Sequence, residues 1–360
     1  MFDNFKKLIG IRQKIILGID VGSASIKAVE ISRKNQNFIL ENYGELDCSL
    51  VKKPSIGEAD KNIISFTNKQ LAEIIKAILR ESEMRSKEVV FSIPDFSSFF
   101  TTIKLPIMSQ EEIPEVIKYE VKPYIPLPVS EITLDWLITE GEISKTSLKI
   151  LVVAIPNEII DQYKEIAFLA GLDLKILEPE VFSLSRAVVI GEDREKTVGL
   201  VDIGARSATI NVLEKGMLKM SHSFNVAGNE IADAIARSLN IEYNEARGLK
   251  EKQGLTIGTG KNAEAEKAMI PLVNFILEEV KNTFRDFYED EGKKPQKIIL
   301  AGGTVLMPGL KDYFSSEFEQ EIAIANPFLG LSYPTALGSA LKQTAPSYGV
   351  AIGLAIKGLE

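Results

Sequence analysis

Two short segments of this chain carry the same order of residue types, one near its start and one at its middle. Residues Ile19 to Ile26 read IDVGSASI and residues Val201 to Ala208 read VDIGARSA, so the two align without a gap. In each, an apolar run ends at an aspartate and is followed by a glycine turn and a second strand-like run. A chain that contains this unit twice is predicted to build two similar sheets.

The residue types of this repeat suit the binding of a phosphate group. Glycine tolerates backbone angles that a side chain would penalise, so consecutive N–H groups of such a turn can converge on one phosphate oxygen. An aspartate just before the turn can hold a hydrated Mg²⁺ ion. Either turn alone would more often be an ordinary hairpin. The pair favours a phosphate site in which Asp20 and Asp202 face the metal through water.

A third glycine turn lies later in the chain. Ala301 to Thr304 reads AGGT, follows the apolar strand Ile298 to Leu300 and precedes a helix predicted to begin near Pro308. A strand, a glycine turn and a helix in this order allow the backbone to approach a ligand closely. With the two aspartate turns before it, this third turn favours a nucleotide site.

Both repeats open a run of three predicted strands, and the stretch between the two runs has a different texture. The runs lie at Ile15 to Ile19, Ile26 to Ile31 and Phe38 to Tyr43, and at Val198 to Ile203, Ser207 to Leu213 and Met217 to Asn225. Between them, predicted strands at Val89 to Ile93, Thr101 to Leu105, Ile132 to Thr139 and Ser147 to Ala154 surround a helix near Glu111 to Val121. We interpret residues 87–163 as an inserted α+β subdomain, residues 1–86, 164–196 and 334–360 as a first lobe, and residues 197–333 as a second lobe.

Charge and composition argue against several classes of function. The 50 acidic and 42 basic side chains give a formal net charge of −8, which disfavours nucleic acid as a partner. One histidine and one cysteine do not suit the usual zinc site. Residues Met1 to Arg12 lack the apolar core of a signal peptide, and the apolar tail Tyr348 to Ile356 is shorter than the ~20 residues that cross a bilayer. We expect a soluble protein without a membrane span.

The order of the three turns resembles that of the actin, hexokinase and heat-shock ATPase superfamily. The two phosphate loops and the adenosine loop of that superfamily match Gly18 to Lys27, Val201 to Thr209 and Leu300 to Thr304. The resemblance implies an α/β, actin-like two-lobed fold, a duplicated ribonuclease H-like unit, that holds ATP and Mg²⁺ between its lobes.

Two segments look like the PilM family of type IV pilus assembly: Leu17 to Lys27 (LGIDVGSASIK) and Ala345 to Ala355 (APSYGVAIGLA). In that family the insert is a 1C-type (SHS2) subdomain, as in the division protein FtsA. The resemblance implies a cytoplasmic adaptor, held at the inner membrane through its partners, that docks the N-terminal tail of PilN between the first lobe and the insert. ATP hydrolysis, where it occurs, is expected to be slow.

The resemblance also implies which residues hold the nucleotide. They belong to the three turns and to the helices beside the second lobe: Asp20, Gly22, Ser23, Ala24, Ser25, Lys27, Asp202, Gly204, Ala205, Arg206, Ser207, Gly228, Lys250, Gly302, Gly303 and Thr304. Glu178, before Pro179, matches the glutamate that orients the attacking water in relatives. It could equally favour the positive end of the next helix, and Glu180 could serve in either role.

One position departs from the family pattern, and several alternatives stay open. Arg247 stands where relatives carry a ribose-binding glutamate, which puts ribose recognition in doubt. An FtsA-like filament-forming division protein is the main alternative. A sugar-kinase-like phosphotransferase is another, although no substrate-binding aspartate can be identified for it. The rate of ATP turnover and self-association are not decided by the sequence.

Overall fold

The computed structural model describes residues 14–51, 66–256 and 261–360. The expectation that the chain has no signal peptide depends on Met1 to Arg12, which lie outside the described residues. The described chain forms three sheets, one for each lobe and one for the insert, with helices packed between and around them.

The first-lobe sheet has six strands in the order β14-β3-β2-β1-β4-β8. Their bounds are β1 (Ile15–Val21), β2 (Ser25–Lys34), β3 (Asn37–Asp47), β4 (Glu88–Ile93), β8 (Asp173–Pro179) and β14 (Leu331–Ser332). β1, β2 and β3 form an antiparallel meander, whereas β4 and β8 run parallel in the direction of β1. The carboxyl ends of β1, β4 and β8 therefore meet at one edge of the sheet.

The second-lobe sheet repeats this plan with five strands in the order β11-β10-β9-β12-β13. Its strands are β9 (Thr197–Ile203), β10 (Ala208–Glu214), β11 (Met217–Phe224), β12 (Lys297–Ala301) and β13 (Glu321–Ile324). Again an antiparallel meander is extended by parallel strands. The duplication predicted from the sequence is present, since Asp20 and Asp202 occupy the same place in β1 and β9.

Helices pack against both faces of the first-lobe sheet and against the second-lobe sheet. The helices are α1 (Asn68–Glu81), α2 (Ile113–Glu120), α3 (Asn157–Ala170), α4 (Glu180–Val188), α5 (Gly228–Leu239), α6 (Tyr243–Lys252), α7 (Lys261–Glu291), α8 (Leu310–Glu317), α9 (Gly338–Thr344) and α10 (Gly349–Leu359). α1 and α3 pack on one face of the first sheet, and α4 and α10 share a core with the other. The core of the second lobe is formed with α5, α7 and α8.

The insert is smaller than the sequence suggested. Its sheet has the order β5-β7-β6, with β5 (Phe99–Leu105), β6 (Ile132–Glu140) and β7 (Leu148–Pro156), and α2 packs against it. The assignment of Val89 to Ile93 to the insert was wrong, because β4 pairs with β1 and β8 in the first-lobe sheet. Helix α3 also packs on the first lobe, so the insert proper lies between Phe99 and Pro156.

The glycine-rich tail motif has a packing role. In α10 every residue except Lys357 is buried, and the helix contacts β1 and α4. A Cβ atom at Gly18 would clash with the backbone of Ala351, and one at Gly353 would clash with the backbone of Ser183. The glycines therefore let α10 lie closer to β1 and α4 than side chains would permit. In the part of the chain that the structure describes, no helix is both long and apolar enough to cross a bilayer.

Candidate functional site: a cleft between the lobes

The three glycine turns line one cleft of about 970 Å³ between the two lobes. The sequence-predicted residues that line it are Asp20, Gly22, Ser23, Ala24, Ser25, Lys27, Asp202, Gly204, Ala205, Arg206, Ser207, Lys250, Gly302, Gly303 and Thr304. Two predicted residues, Glu178 and Gly228, do not line it. The cleft forms because the equivalent ends of both sheets face each other, which brings together residues far apart in the sequence.

The second-lobe turn is held in shape by its neighbours. The carbonyl oxygen of Gly204 accepts hydrogen bonds from the N–H of Gly228, at 3.1 Å, and from Thr304 Oγ1, at 2.6 Å. The N–H of Asn229 donates to the carbonyl of Ala205 at 2.7 Å. Lys250 Nζ donates to the carbonyl of Gly228 at 3.0 Å. Gly228 thus acts on the cleft through the turn and through Lys250 and does not line the cleft itself.

The first-lobe turn carries a buried cation. Lys27 lies opposite Asp20 on the paired strands β1 and β2, and its Nζ is 2.5 Å from Ser25 Oγ and 3.4 Å from a Glu45 oxygen. Asp20 Oδ1 accepts a hydrogen bond from Ser92 at 3.0 Å. Burial raises the pKa of Asp20, while Lys27 and Ser92 oppose that rise.

Four carboxyl groups lie close together: Asp20, Glu180 and Asp202 line the cleft, and Asp95 is buried next to Glu180. Asp20, Asp95 and Glu180 come from the carboxyl ends of β1, β4 and β8, and Asp202 comes from β9. Burial, followed by the effect of Asp20, raises the pKa of Asp202 to about 7. Burial raises the pKa of Asp95 to about 8 and that of Glu180 well above its usual value. So much negative charge in one place favours a bound cation or retained protons.

This arrangement suits a metal held through water. Among the residues that the structure describes, no group of three or more histidine, cysteine, aspartate or glutamate side chains is placed to hold an ion directly. Mg²⁺ commonly keeps several of its waters and binds through one or two carboxylates and the phosphates of a substrate. Asp20 and Asp202, on opposite walls of the cleft, fit that mode.

The carboxylate of Glu178 forms a buried ion pair with Arg186. Its two carboxylate oxygens accept hydrogen bonds from Arg186, at 2.7 and 2.8 Å, and one of them also accepts from Ser183 at 2.6 Å. Its assignment as the water-orienting glutamate is therefore corrected: the side chain points away from the cleft and ties β8 to α4. Glu180, two residues later, lines the cleft.

The third turn approaches the second-lobe turn closely. Gly302 has a φ of 89°, and a Cβ atom there would overlap Asp202 Oδ1 and the backbone of Ile203. Its N–H donates to the carbonyl of Pro346 at 2.9 Å. At Gly303, by contrast, a Cβ atom would meet nothing within 4 Å. Gly302 is thus required by the protein itself, whereas Gly303 presents open backbone to the cleft.

Several residues in the cleft or beside it were not predicted from the sequence, among them Asp95, Asp47 and Phe96. Asp95 follows β4, and its Oδ1 accepts from the N–H of Val181 at 3.1 Å. Asp47 contacts Arg247 across the cleft, and Phe96 lies under the guanidinium of Arg206, with 4.6 Å between the guanidinium carbon and the ring centre. An acidic residue at the carboxyl end of a parallel strand is a usable signal for Asp95. It was missed because β4 had been assigned to the insert.

Solved structures show the same fold. A chain of the PilM-PilN type IV pilus biogenesis complex superposes with a TM-score of 0.82 and 22% identity, over 97% of this chain and 100% of that one. MreB 5 of Spiroplasma citri bound to AMPPNP superposes with a TM-score of 0.55 and 13% identity, over 96% of both chains. The predicted actin-like α/β fold is confirmed.

Curated relatives and the family model agree with this fold. FtsA of Bacillus subtilis is 19% identical over 357 residues, which cover 89% of this chain and 81% of that protein. FtsA of Enterococcus faecalis is 23% identical over 198 residues, or 50% of this chain, and the match spans only 45% of that relative's length. The model of the family described as type IV pilus assembly protein PilM matches residues 18–359, so the chain belongs to the PilM family.

Proposed function

We propose that this protein binds ATP with Mg²⁺ in the interlobe cleft and serves as a cytoplasmic adaptor of the inner-membrane complex that assembles type IV pili. The observation that carries the proposal is the convergence of two duplicated aspartate–glycine turns and a third glycine turn on one cleft. Membership of the PilM family supports the pilus role. The PilM-PilN complex, whose chain has the same fold, supports a PilN-like tail as the partner.

The cleft offers distinct surfaces to the parts of a nucleotide. The N–H groups of the turns after Asp20 and Asp202 suit the phosphates, and Lys27 supplies a cation next to them. Mg²⁺ would be held by the two aspartates through water and would neutralise the phosphate charge. The open backbone at Gly303 leaves space for the nucleoside.

Hydrolysis in this site would depend on Glu180. It lines the cleft, and Asp95 N–H donates to its Oε2 at 3.2 Å, which fixes the direction of the carboxyl group. A glutamate in this place can orient water toward the terminal phosphate. Because burial and three neighbouring acids raise its pKa, it holds a proton more strongly than an ordinary glutamate. A slow ATPase is the result we expect.

The partner would dock where the insert meets the first lobe. Ile93 of β4 packs there against Val153 and Ile155 of β7. Half-buried apolar side chains surround this contact: Phe100, Ile159, Ile160, Leu177 and Phe182. β8, which is an edge strand of the first-lobe sheet, contributes Leu177 to this junction. An extended peptide that adds to a sheet edge and places apolar side chains in neighbouring pockets fits this surface.

A titration with the synthetic N-terminal tail of the PilN partner tests the docking. Ile160→Asp places a charge in the junction and should reduce peptide affinity at least about tenfold, since a desolvated charge costs more than 1.4 kcal/mol. Phe168→Asp is the matched control, because Phe168 lies on the same helix, α3, with 81% of its surface exposed. Both variants should bind Mg-ATP like the wild type.

The outcomes separate the two halves of the proposal. Equal peptide affinity in the Ile160 and Phe168 variants would reject the docking site. A wild-type protein that shows no heat of binding with Mg-ATP at millimolar concentration would reject the nucleotide site. Removal of residues 87–163 is not a suitable test, because it would also delete β4 from the first-lobe sheet.

A further inference from the structure

An ion pair crosses the cleft between Asp47 and Arg247. Asp47 is the last residue of β3 in the first lobe, and Arg247 lies on α6 of the second lobe. Arg247 Nη2 donates to Asp47 Oδ2 at 2.5 Å, and Nη1 donates to Oδ1 at 3.3 Å. Both residues line the cleft. Arg247 thus contacts Asp47 through two nitrogens, and this contact joins the two lobes directly within the cleft.

The pair is held in position from both sides. Arg247 Nε donates to Glu251 Oε1 at 2.7 Å, one turn further along α6. Asp47 Oδ1 accepts from the N–H of Ser49 at 2.8 Å. The hydrogen bond from Arg247 lowers the pKa of Asp47 to about 2, so the aspartate is charged at neutral pH. Two fixed and fully charged groups form a better-defined contact than two mobile surface side chains.

The position of Arg247 suggests two alternative roles in nucleotide binding, and the two roles predict different effects of substituting it. It lies on the same helix as Lys250, beside the third glycine turn, where the nucleoside is placed by the proposed function. It could recognise the ribose, or it could act on the nucleotide only by keeping the lobes together. Because two of its nitrogens are already directed at Asp47, the guanidinium is oriented across the cleft and not into it.

We propose that Asp47 and Arg247 form a closing contact, which must break before the lobes separate and which thereby sets the rate at which a bound nucleotide leaves. This inference rests on the proposed nucleotide site. The side chains are 27% and 32% exposed, so water and salt weaken the contact. Its loss should raise the dissociation rate about fivefold, which corresponds to about 1 kcal/mol. The effect should shrink at high ionic strength.

Dissociation of radiolabelled Mg-ADP, chased with unlabelled nucleotide, measures this contact. Asp47→Asn and Arg247→Gln should each speed release about fivefold, and the double variant should be no faster than either, because all three lack the same contact. Glu245→Gln is the matched control, since Glu245 is an exposed acid on the same helix, α6, outside the lining of the cleft, and the substitution removes one negative charge as Asp47→Asn does. Its release rate should stay close to that of the wild type.

A charge reversal shows whether the contact itself matters. Asp47→Arg combined with Arg247→Asp should restore slow release when both are made in the Glu251→Gln background, where the new carboxylate does not face Glu251. Repeating the chase with 2′-deoxy-ADP and 3′-deoxy-ADP separates closure from ribose recognition. The closing contact predicts the same fivefold effect for all three nucleotides.

Three results would overturn the inference. An Arg247→Gln effect that disappears with a deoxy nucleotide would assign Arg247 to the ribose. Additive single variants without rescue by charge reversal would show that the two residues act separately. Slow release that is unchanged in both single variants would show that the contact does not control opening. A wild-type protein that binds no ADP or ATP would instead reject the proposed nucleotide site, and the closing contact with it.

Discussion

The two phosphate turns have the same backbone plan but different charges. In the first lobe, the residue paired with Asp20 across the strands is Lys27, whereas in the second lobe the residue paired with Asp202 is Thr209. The first turn therefore contains its own buried cation. The cation of the second turn is Arg206, which is exposed and contacts the ring of Phe96.

This difference teaches how a duplicated unit can be specialised. Burial raises the pKa of both aspartates, but at Asp20 this rise is opposed from within the same lobe by Lys27 and by the hydrogen bond from Ser92. The charge of Asp202 is opposed mainly by Lys27 of the other lobe, and its pKa is raised to about 7. We infer that the second turn depends more on a cation supplied from outside, such as Mg²⁺ bound with a nucleotide.

The largest effect is expected from removing these two carboxylates. Asp20→Ala and Asp202→Ala should each weaken Mg-ATP binding by up to about a hundredfold, as expected for a charge-assisted contact of about 1.5–3 kcal/mol. Calorimetric titration of ATP with and without Mg²⁺ then distinguishes the roles of the two aspartates. The gain in ATP affinity on adding Mg²⁺ should fall further in Asp202→Ala than in Asp20→Ala, because the residue paired with Asp202 is Thr209 and the second turn lacks a buried lysine of its own. Unchanged Mg-ATP affinity in both variants would reject a shared metal site.

The glutamates at the end of β8 provide the next test, because one lies in the cleft and the other does not. Glu178→Gln should lower the free energy of unfolding by about 2 kcal/mol, since Arg186 loses its buried charged partner. Nucleotide binding should be retained. Glu180→Gln should leave stability intact and reduce any measurable ATP turnover. Denaturant unfolding measures the stability of each variant, and a phosphate-release assay measures its ATP turnover. Lost turnover in Glu178→Gln together with lost stability in Glu180→Gln would restore Glu178 as the water-orienting residue.

The third turn braces the second phosphate turn, and its two glycines should respond differently. Gly303→Val should weaken nucleotide binding about tenfold with little change in thermal stability, because the added side chain would occupy space that is open to the cleft. Gly302→Ala should destabilise the protein, because φ is 89° and its Cβ would overlap the turn at Asp202. Full nucleotide affinity in a folded Gly303→Val variant would remove this turn from the site.

Much of the fold could be predicted from local patterns, whereas parts of the site could not. Glycine and aspartate at fixed spacing mark each turn, so the repeat and its strands were visible in the sequence. An apolar run such as Glu88–Ile93 suits any buried strand, and only the pairing with β1 and β8 shows which sheet contains it. Glu178 and Glu180 are two residues apart, and the change from strand to helix between them decides which one reaches the cleft.

The contact between Asp47 and Arg247 was beyond prediction for a related reason. Nothing local to either residue shows that β3 of one lobe and α6 of the other approach each other, because that distance is set by the packing of whole lobes. The sequence did show that Arg247 departs from the expected glutamate. The structure shows that the guanidinium of Arg247 pairs with the carboxylate of Asp47.

The last test concerns the pH dependence of the free energy of unfolding without nucleotide. It asks whether burial and mutual repulsion raise the pKa values of the acids in and beside the cleft. Asp95 and Asp202 have pKa values raised to about 8 and about 7, against about 3.9 in an unfolded chain. Between about pH 4 and pH 8 the folded protein therefore binds more protons than the unfolded protein, and its free energy of unfolding falls as the pH rises.

Asp95→Asn imitates the protonated aspartate and should make this fall shallower between pH 5 and pH 8, as measured by urea unfolding. The hydrogen bond from the N–H of Val181 can still form to the amide oxygen. Asp135→Asn, on the exposed face of the insert, controls for the loss of one negative charge. Saturating Mg-ATP should flatten the wild-type profile too, because the cation compensates the same charges. If the free energy of unfolding of the wild type instead rises between pH 5 and pH 8, the pKa values of these acids are not raised by burial and by one another.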